Sequence, residues 1–418
     1  MEIERNLYLD RLIKRKNNGM AKVVTGIRRC GKSFLLSVLY KKHLIQQGVP
    51  ESHIIEVDLD NIANRELRDA MKLYSYVQKN VTDTKPYYVI LDEIQHVEDF
   101  VDVVNGLMHT SNIDVYVTGS NSRFLSTDIL TEFRGRGDEV RVNPLCFAEF
   151  TSAYPGSVED AWKDYYTFGG MPLILSREDD EMKTQYLNTL FSTVYLRDIC
   201  DRNNISHVDE LEVLISFLAS SVGSLTNPSK LEKTFKSTQN RHITDKTIKT
   251  YIDYLEEAFL VDSAQRFDVK GRKYTDTPLK YYFVDVGLRN ARLEFRQQEE
   301  NHIMENIIFN ELKVRGYSVD VGVVITTETN AEGKRQKKRL EVDFIAKSGN
   351  NQCYIQSALS MADPAKAVAE MRSLIKIPDS FRKYIIVRDN IKTKRDDHGI
   401  VTMGLFDFLL NQDCLFAE

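Results

Sequence analysis

Residues 26–33 read Gly-Ile-Arg-Arg-Cys-Gly-Lys-Ser and fit the spacing G-x-x-x-x-G-K-[ST]. Glycines at this spacing let the backbone wrap around phosphates, so that successive N–H groups face anionic oxygens. Lys32 adds a positive charge there, and Ser33 adds a hydroxyl for Mg²⁺. A helix predicted to begin near Lys32 aims the positive end of its dipole at the same place. The predicted phosphate-binding residues are Gly26, Ile27, Arg28, Arg29, Cys30, Gly31, Lys32, Ser33 and Phe34.

The elements around this loop are those that such a site requires. An apolar strand is predicted over residues 21–25 and a helix over residues 33–40. A second apolar strand, residues 87–91, ends in Asp92 and Glu93. We expect Asp92 to hold Mg²⁺ through water or the Ser33 hydroxyl. We expect Glu93 to polarise the attacking water as general base.

Two further segments carry candidates for nucleotide sensing. Ser120 and Asn121 follow a predicted strand over residues 114–118, where either side chain would reach the γ-phosphate or the attacking water. Gly-Ser-Asn is also ordinary turn chemistry. The loop that follows contains Arg136, the first choice for a guanidinium that stabilises transition-state charge, and Arg134, the second. It would act in cis or from a neighbouring subunit, and the alternative is an exposed loop with two solvated arginines.

Composition indicates a globular protein with more than one core. The chain has 418 residues, 42% hydrophobic and 28% charged, with a net charge of −5. A nucleic-acid site would therefore have to be a local basic patch. Five scattered cysteines and eight histidines show no zinc-ligand spacing, and no apolar run approaches a membrane span. These features predict a cytoplasmic protein without a membrane segment.

The loop, the strand ending at Glu93, the Gly119-Ser120-Asn121 tip and residues 135–150 together resemble prokaryotic AAA+ ATPases. In particular they are similar to bacterial and archaeal two-part members whose C-terminal domain has no assigned function. Residues 168–172, Phe-Gly-Gly-Met-Pro, match the opening of that second domain. The resemblance implies ATP and Mg²⁺ as cofactors, hydrolysis, and a homo-oligomeric ring such as a hexamer.

The predicted fold class is α/β, in four parts. Residues 1–145 form a P-loop AAA+ core with a parallel sheet, and residues 146–204 a helical lid. Residues 205–295 read as a winged helix, and residues 296–418 as a restriction-endonuclease-like α/β domain.

The winged-helix segment contains basic residues in two places. One group lies on or just before the predicted third helix, which would sit in a major groove, and the other lies at the tip of a hairpin that would act as the wing. Acidic residues on the same helix weaken a phosphate-facing surface, and winged helices also serve as protein contacts. The candidate DNA contacts here are Arg241, Lys246, Lys249, Lys270, Arg272 and Lys273.

The C-terminal order of helix and strands resembles the restriction-endonuclease-like core, whose signature is a helix Glu, an Asp and Glu-x-Lys. Glu305 and Asp343 match, but Gln356 stands at the Glu position and Ala358 at the Lys position. Gln356 has no charge for a hard cation, and Ala358 cannot polarise water. We therefore predict a degenerate, non-cleaving fold, although Lys347 lies on the same strand face as Asp343 and could in principle substitute. A basic run in a predicted hairpin loop adds Lys334, Arg335, Lys337, Lys338 and Arg339 as DNA contacts.

Three hypotheses follow from the sequence. The first is an AAA+ ATPase that couples Mg-ATP hydrolysis to work on DNA. The second is a nucleotide-dependent switch that acts on a protein partner without DNA work. The third, a live nuclease, requires Mg²⁺-dependent cutting that Asp343→Ala abolishes.

Overall fold

Short apolar runs in the first part of the chain form five strands. The structure, a computed structural model, describes residues 2–119, 135–239, 243–329 and 335–416. It divides into two units, Met1–Leu145 with Glu256–Phe259, and Cys146–Leu255 with Leu260–Glu418. The strands of the first unit are β1 Ala21–Thr25, β2 Ile54–Asp58, β3 Tyr87–Asp92, β4 Ile113–Thr118 and β5 Gly137–Arg141. They pair in parallel in the order β2-β3-β4-β1-β5.

The central strands of this sheet are buried along their whole length. Every residue of β1 and of β3 is buried, which matches the near-continuous apolar sequences of both. The charged residue of β1 is Lys22, which is also buried, and its ammonium is paired with the Asp114 carboxylate in β4. Because all five strands are parallel, their carboxyl ends meet at one edge, where the segments after β1 and β3 lie close together.

Helices separate these strands, as the alternation in the sequence predicts. The Asp69 side chain caps one of them by accepting the Lys72 backbone N–H at 2.9 Å. The helices are Asn6–Arg15, Lys32–Phe34, the π-helix Leu35–Tyr40, Lys41–Gln46, Ala70–Asn80 and Phe100–Met108. Short 3₁₀ turns cover Glu51–His53, Ile62–Arg68 and Ile94–His96.

The second unit begins with helices that pack around an aromatic cluster. The Trp162 ring makes an edge contact with Phe147, and its indole N–H donates to Glu300 Oε1 at 2.7 Å. The helices up to residue 257 are Phe147–Ala153, Val158–Phe168, Asp180–Thr189, the π-helix Leu190–Leu196, Arg197–Asn203, Val208–Ser220, Pro228–Gln239 and Asp245–Glu257. Those that follow are Val286–Arg292, Glu300–Val314, Pro364–Ile375 and Leu405–Leu410, and a 3₁₀ turn covers Pro172–Ser176. Across the described parts of the chain, none of the helices has the length and apolarity that a bilayer crossing demands.

Eight strands of the second unit form one mixed sheet. They are β6 Val261–Asp268, β7 Lys273–Phe283, β8 Ser318–Thr329, β9 Arg335–Ser348, β10 Asn351–Ala358, β11 Arg382–Val387, β12 Lys394–Arg395 and β13 Ile400–Gly404. Their order is β12-β13-β11-β10-β9-β8-β6-β7. The α/β character predicted for this region is therefore present.

The structure differs from the sequence prediction at two places in this sheet. The hairpin β6–β7, predicted as the wing of a separate module ending near residue 295, is the edge of the eight-stranded sheet. It joins because β6 pairs in parallel with β8, with Arg266 opposite Val321. The basic run beginning at residue 335 was predicted as loop, yet it is the start of β9. Its backbone is paired because Thr326 to Thr329 of β8 lie opposite Lys338 to Arg335.

Candidate active site

The loop between β1 and helix Lys32–Phe34 is a left-handed turn built on glycine. Gly26 has φ +135° and Gly31 has φ +101°. A Cβ atom added at Gly26 would lie 1.9 Å from the Val142 carbonyl oxygen, so no other residue fits there. The Lys32 side chain is buried, and its ammonium donates to the carbonyl oxygens of Gly26 at 3.0 Å and Ile27 at 3.3 Å. The loop thus holds a buried cation at its centre.

An arginine outside the motif fixes this loop in place. Arg5 is buried, and its guanidinium donates to the Cys30 carbonyl at 3.0 Å and to the Asn143 carbonyl at 2.7 Å. The guanidinium also lies over the Tyr8 ring, 4.7 Å from its centroid. The Tyr8 hydroxyl accepts the Asn143 backbone N–H at 3.2 Å. The segment before β1 therefore ties the phosphate-binding loop to the segment after β5.

Asp92 lies at the end of β3, buried beside the loop. The Thr118 hydroxyl of β4 donates to its Oδ1, and the Ser33 side chain is a second hydrogen-bond partner. Burial raises the pKa of Asp92 above its usual range, and these two hydrogen bonds oppose that increase. A nearby cation would stabilise the ionised form of this buried carboxylate. Ser33 and Asp92 therefore form an oxygen pair suited to Mg²⁺.

Glu93 follows in a left-handed backbone conformation, with φ +52°. Its N–H donates to the Thr118 hydroxyl at 2.9 Å, so the same threonine holds both members of the carboxylate pair. The Gln95 side-chain amide donates to the Glu93 carboxylate. Thr118 and Gln95 were not predicted as site residues. The only signal was their position, at the end of a buried strand and two residues after Glu93.

These groups line a cavity of ≈ 580 Å³ at the carboxyl edge of the first sheet. Its lining residues are Arg28, Arg29, Gly31, Lys32, Ser33, Phe34, Asp58, Asp60, Asn61, Asp92 and Glu93. Within the described residues, no group of three or more His, Cys, Asp or Glu side chains could hold a metal alone. Mg²⁺ beside a nucleotide uses one or two carboxylates and takes further oxygens from phosphate, so the residues present fit Mg-ATP.

Four other residues were predicted to sense the nucleotide or to stabilise its transition-state charge. Ser120, Asn121 and Arg134 lie outside the described residues. Arg136 is exposed and directly precedes β5, where its carbonyl oxygen accepts the Ala21 N–H at 2.8 Å. This is the amino edge of the parallel sheet, opposite the phosphate-binding loop. The Arg136 side chain therefore lies at the far edge from the loop of its own subunit.

A second cluster of ionisable groups lies in the C-terminal sheet. The Lys280 ammonium, from β7, is 2.9 Å from Glu305 Oε1, 2.7 Å from Glu341 Oε1 and 3.9 Å from Asp343 Oδ1. The Tyr282 hydroxyl donates to Glu305 at 2.7 Å. Burial raises the pKa of Asp343, and Glu305 adds to this while Lys280 opposes it. We call Lys280, Glu305, Glu341 and Asp343 the lysine-centred cluster.

The two positions that match the nuclease signature, Glu305 and Asp343, are thus brought together. The lysine that accompanies them is Lys280, whereas Lys347 is exposed near the end of β9. The Asp343 carboxylate also accepts the Ser357 N–H at 2.9 Å. Lys280 was not predicted as a site residue because it lies in the β6–β7 hairpin, which the sequence assigns to the winged-helix segment.

The predicted DNA contacts are on the surface wherever they are described. Lys246 and Lys249 are exposed on helix Asp245–Glu257, and Lys270, Arg272 and Lys273 are exposed at the β6–β7 tip. The Asp268 carboxylate shapes that tip by accepting the N–H groups of Lys270 at 3.2 Å and Gly271 at 2.9 Å. Arg335, Lys337, Lys338 and Arg339 are exposed on β9, while Arg241 and Lys334 lie outside the described residues.

Comparison with known proteins agrees with this geometry. The profile of the AAA domain family matches residues 18–151, and the profile of a domain of unknown function matches residues 159–299. An uncharacterised protein of Haemophilus influenzae is 33% identical over 414 residues, covering 98% of both chains. An uncharacterised protein of Methanocaldococcus jannaschii is 26% identical over 384 residues, 88% of this chain and 82% of its own.

Two solved structures show a remote likeness to this chain. The ORC1 protein of Aeropyrum pernix in complex with DNA is 13% identical with a TM-score of 0.29, covering 70% of this chain and 93% of its own. A DNA polymerase III gamma subunit-related protein of Thermotoga maritima is 12% identical with a TM-score of 0.27, covering 60% of this chain and 98% of its own. The prediction from the sequence is confirmed by the family match: the chain belongs to the AAA+ P-loop ATPase family, and its residues 159–299 match a domain of unknown function.

Proposed function

We propose that the protein hydrolyses Mg-ATP and couples this reaction to work on DNA as a homo-oligomer. The observation that carries the proposal is the convergence of Lys32, Ser33, Asp92 and Glu93 on one cavity. They come from the ends of β1 and β3, which are adjacent to β4 in a parallel sheet. Nucleotide phosphates bind at this edge of such sheets.

Each of the four side chains has a defined part in the reaction. Lys32 would leave the carbonyl oxygens of its own loop and neutralise the β- and γ-phosphates. Ser33 and Asp92 would hold Mg²⁺, which supplies positive charge to the phosphate oxygens when bound. Glu93 would accept the proton of the attacking water. Thr118 keeps Asp92 and Glu93 in register, because its hydroxyl contacts both.

The position of Arg136 supports assembly into a ring. The residue lies at the sheet edge opposite its own phosphate-binding loop, so its guanidinium would serve the nucleotide of a neighbouring subunit. Ser120 or Asn121 would act as sensor for the γ-phosphate, as the sequence predicts. A cytoplasmic location remains part of the proposal.

DNA is proposed as the partner because exposed basic residues lie on several elements of the second unit. They occur at the β6–β7 tip, on helix Asp245–Glu257 and on β9. The helices and hairpin of residues 208–283 follow the order of a winged helix. We infer no phosphodiester cleavage, since the lysine-centred cluster already contains a cation where a nuclease places its metal.

ATP turnover by the purified protein, with and without duplex DNA at low salt, tests the proposal. Glu93→Gln is expected to lower turnover by about 10²–10⁴-fold while ATP still binds, because it removes the general base but keeps the shape. Duplex DNA is expected to stimulate the wild type. Equal turnover by Glu93→Gln would refute the assigned chemistry, and indifference to DNA would refute the coupling.

A second candidate function, a slow nucleotide switch for a protein partner, has one observation in its favour. The Gln95 side-chain amide donates to the Glu93 carboxylate, so the proposed base already has a hydrogen-bond partner that competes with water. Under this alternative, turnover would be slow and unaffected by DNA, while ATP would still change the oligomeric state. Sedimentation of Glu93→Gln with ATP and with ADP, in the absence of DNA, distinguishes a switch from a DNA-coupled motor.

A further inference from the structure

Strands β8 and β9 form a two-stranded ribbon whose exposed end is basic on one face. Side chains alternate across a strand, so Arg335, Lys337 and Arg339 lie on one face of β9. Their cross-strand neighbours are Thr329, Thr327 and Ile325. All three basic side chains are exposed. We call Arg335, Lys337 and Arg339 the cationic ribbon face.

On the opposite face of the same ribbon, the lysine is paired with a carboxylate. Lys338 lies there, and its ammonium is 3.6 Å from the Glu328 carboxylate, which also binds Arg372 of helix Pro364–Ile375. Val324 and Val342, on the same side of the ribbon, belong to a hydrophobic core under that helix. The basic run therefore divides into three outward charges on one face and one lysine, on the other face, that is paired with Glu328.

The cationic ribbon face continues into the lysine-centred cluster. Glu341 is the next residue of that face after Arg339, and it binds Lys280. At roughly 3.4 Å per residue, the three cations cover about 14 Å. A DNA duplex carries one charge per about 1.7 Å of its axis, so about eight phosphate charges lie within that length. A row of cations of this length can therefore contact several phosphates at once.

The composition of the face favours duplex DNA over other anionic partners. Protein interfaces need a hydrophobic centre, but the exposed large hydrophobic side chains of the described residues all lie outside β8 and β9. Single-stranded nucleic acid is bound by aromatic stacking platforms, and the aromatic residue of these strands, Phe344, is fully buried. Phosphate contacts need only cations and small polar groups, and this face offers both.

We propose that the cationic ribbon face binds the phosphate backbone of duplex DNA, with Lys338 outside the contact. This inference rests on the proposed function, in which DNA is the partner. Each phosphate contact contributes about 0.9 to the slope of log K against log salt. Loss of three contacts would lower the magnitude of that slope by about 2.7. When the salt rises from about 50 to 200 mM, the affinity of the wild type falls by a factor that is about 40 times larger than the factor for the triple variant.

Lys337 and Lys338 provide a matched pair for the experiment. They are adjacent, exposed and chemically identical, and they lie on opposite faces. Binding of a fluorescein-labelled duplex to the full chain would be followed by anisotropy across a salt series. We expect Lys337→Gln to lower the slope by about 0.9 and Lys338→Gln to leave it unchanged, with Arg335→Gln/Lys337→Gln/Arg339→Gln showing the full effect. Unchanged thermal melting of each variant shows that folding is preserved.

The outcomes separate this inference from the proposed function. If the wild type binds no duplex, the proposed work on DNA is refuted. If the wild type binds duplex and the triple variant keeps its salt slope, only the ribbon assignment is refuted. Equal effects of Lys337→Gln and Lys338→Gln would also overturn it, because the contact would not be specific to one face. Equal affinity for single strands would overturn the choice of duplex.

Discussion

Lys280→Met is the substitution that most directly tests the lysine-centred cluster. The change keeps the length of the side chain and removes the ammonium shared by Glu305 and Glu341 at 2.9 and 2.7 Å. At an effective dielectric constant of about 20, each contact is worth roughly 6 kcal/mol before desolvation. Desolvation of the buried ions offsets most of this, and removal of one partner from such a site costs about 3–5 kcal/mol. We expect that loss in the free energy of unfolding of the second unit at pH 8.

The pH dependence of this loss has a definite sign. Burial and Glu305 raise the pKa of Asp343, and Lys280 opposes them, so the variant raises the pKa of that carboxyl further. A carboxyl with a pKa above its unfolded value binds more protons in the folded state, and stability therefore rises as pH falls. The penalty of Lys280→Met should therefore shrink as the pH falls from about 9.5 to 7, through the pKa of about 8 that Asp343 has in the wild type. In the wild type the pKa of Lys280 is raised, so its contribution is lost only in strongly alkaline solution.

Urea unfolding followed by tryptophan fluorescence measures this directly. Trp162 is the single tryptophan of the chain and lies in the second unit, so its signal reports that unit. Lys347→Met, on the exposed part of β9, is the matched control and should change stability by less than about 0.5 kcal/mol. A loss below about 1 kcal/mol at pH 8, or a larger loss at about pH 7 than at about pH 9.5, would refute the reasoning.

Three further substitutions test the nucleotide site. Thr118→Val should lower the kcat of ATP hydrolysis by about 10–100-fold, because a charge-assisted hydrogen bond to Asp92 worth about 1.5–3 kcal/mol is lost; an unchanged kcat would contradict this. Arg5→Ala should raise the KM for Mg-ATP more than it lowers kcat, with partial recovery in Arg5→Lys. Equal effects of both variants would exclude the role of the Arg5 charge in holding the phosphate-binding loop. Gln95→Leu should raise kcat by freeing Glu93, and a lower kcat would mean that the amide positions the base for reaction.

The nucleotide site could be predicted because its parts are local in sequence. The loop motif, the strand before it and the helix after it lie within twenty residues, and each follows from turn and strand chemistry. Asp92 and Glu93 end a strand, and parallel pairing brings that end to the loop. Arg5 could not be found in this way, since its partners lie 25 and 138 residues away.

The C-terminal site was predicted only in part, for a reason of topology. Glu305 and Asp343 match a known order of elements, but the position of Lys280 depends on which strand covers the end of the sheet. That strand is β7. It lies at the end of the sheet because it pairs with β6, and β6 pairs with β8, which is more than fifty residues later in the sequence. The basic run from residue 335 was misassigned as loop for a related reason. The charge of this run and the nearby Gly333 are typical of a turn. The run is nevertheless a strand, because its backbone pairs with Thr326 and the residues that follow it in β8.

The lysine-centred cluster joins three elements of the second unit through one ammonium. Glu305 comes from helix Glu300–Val314, Lys280 from β7, and Asp343 from β9, and Asp343 also accepts an N–H of β10. A metal ion would join these elements by binding their oxygens, but an ammonium with three N–H donors can do the same.

The loop above the cluster is adapted to this arrangement. A Cβ atom at Gly223 would lie 3.0 Å from the Glu305 carboxylate, and the Gly223 N–H donates to the Tyr281 carbonyl at 3.3 Å. This loop therefore lies against the Glu305 carboxylate, while Glu341, on the other side of Lys280, continues the cationic ribbon face. Under the proposed function, DNA bound to that face would lie beside an ammonium that already occupies the space between the carboxylates, and it would be held without cleavage.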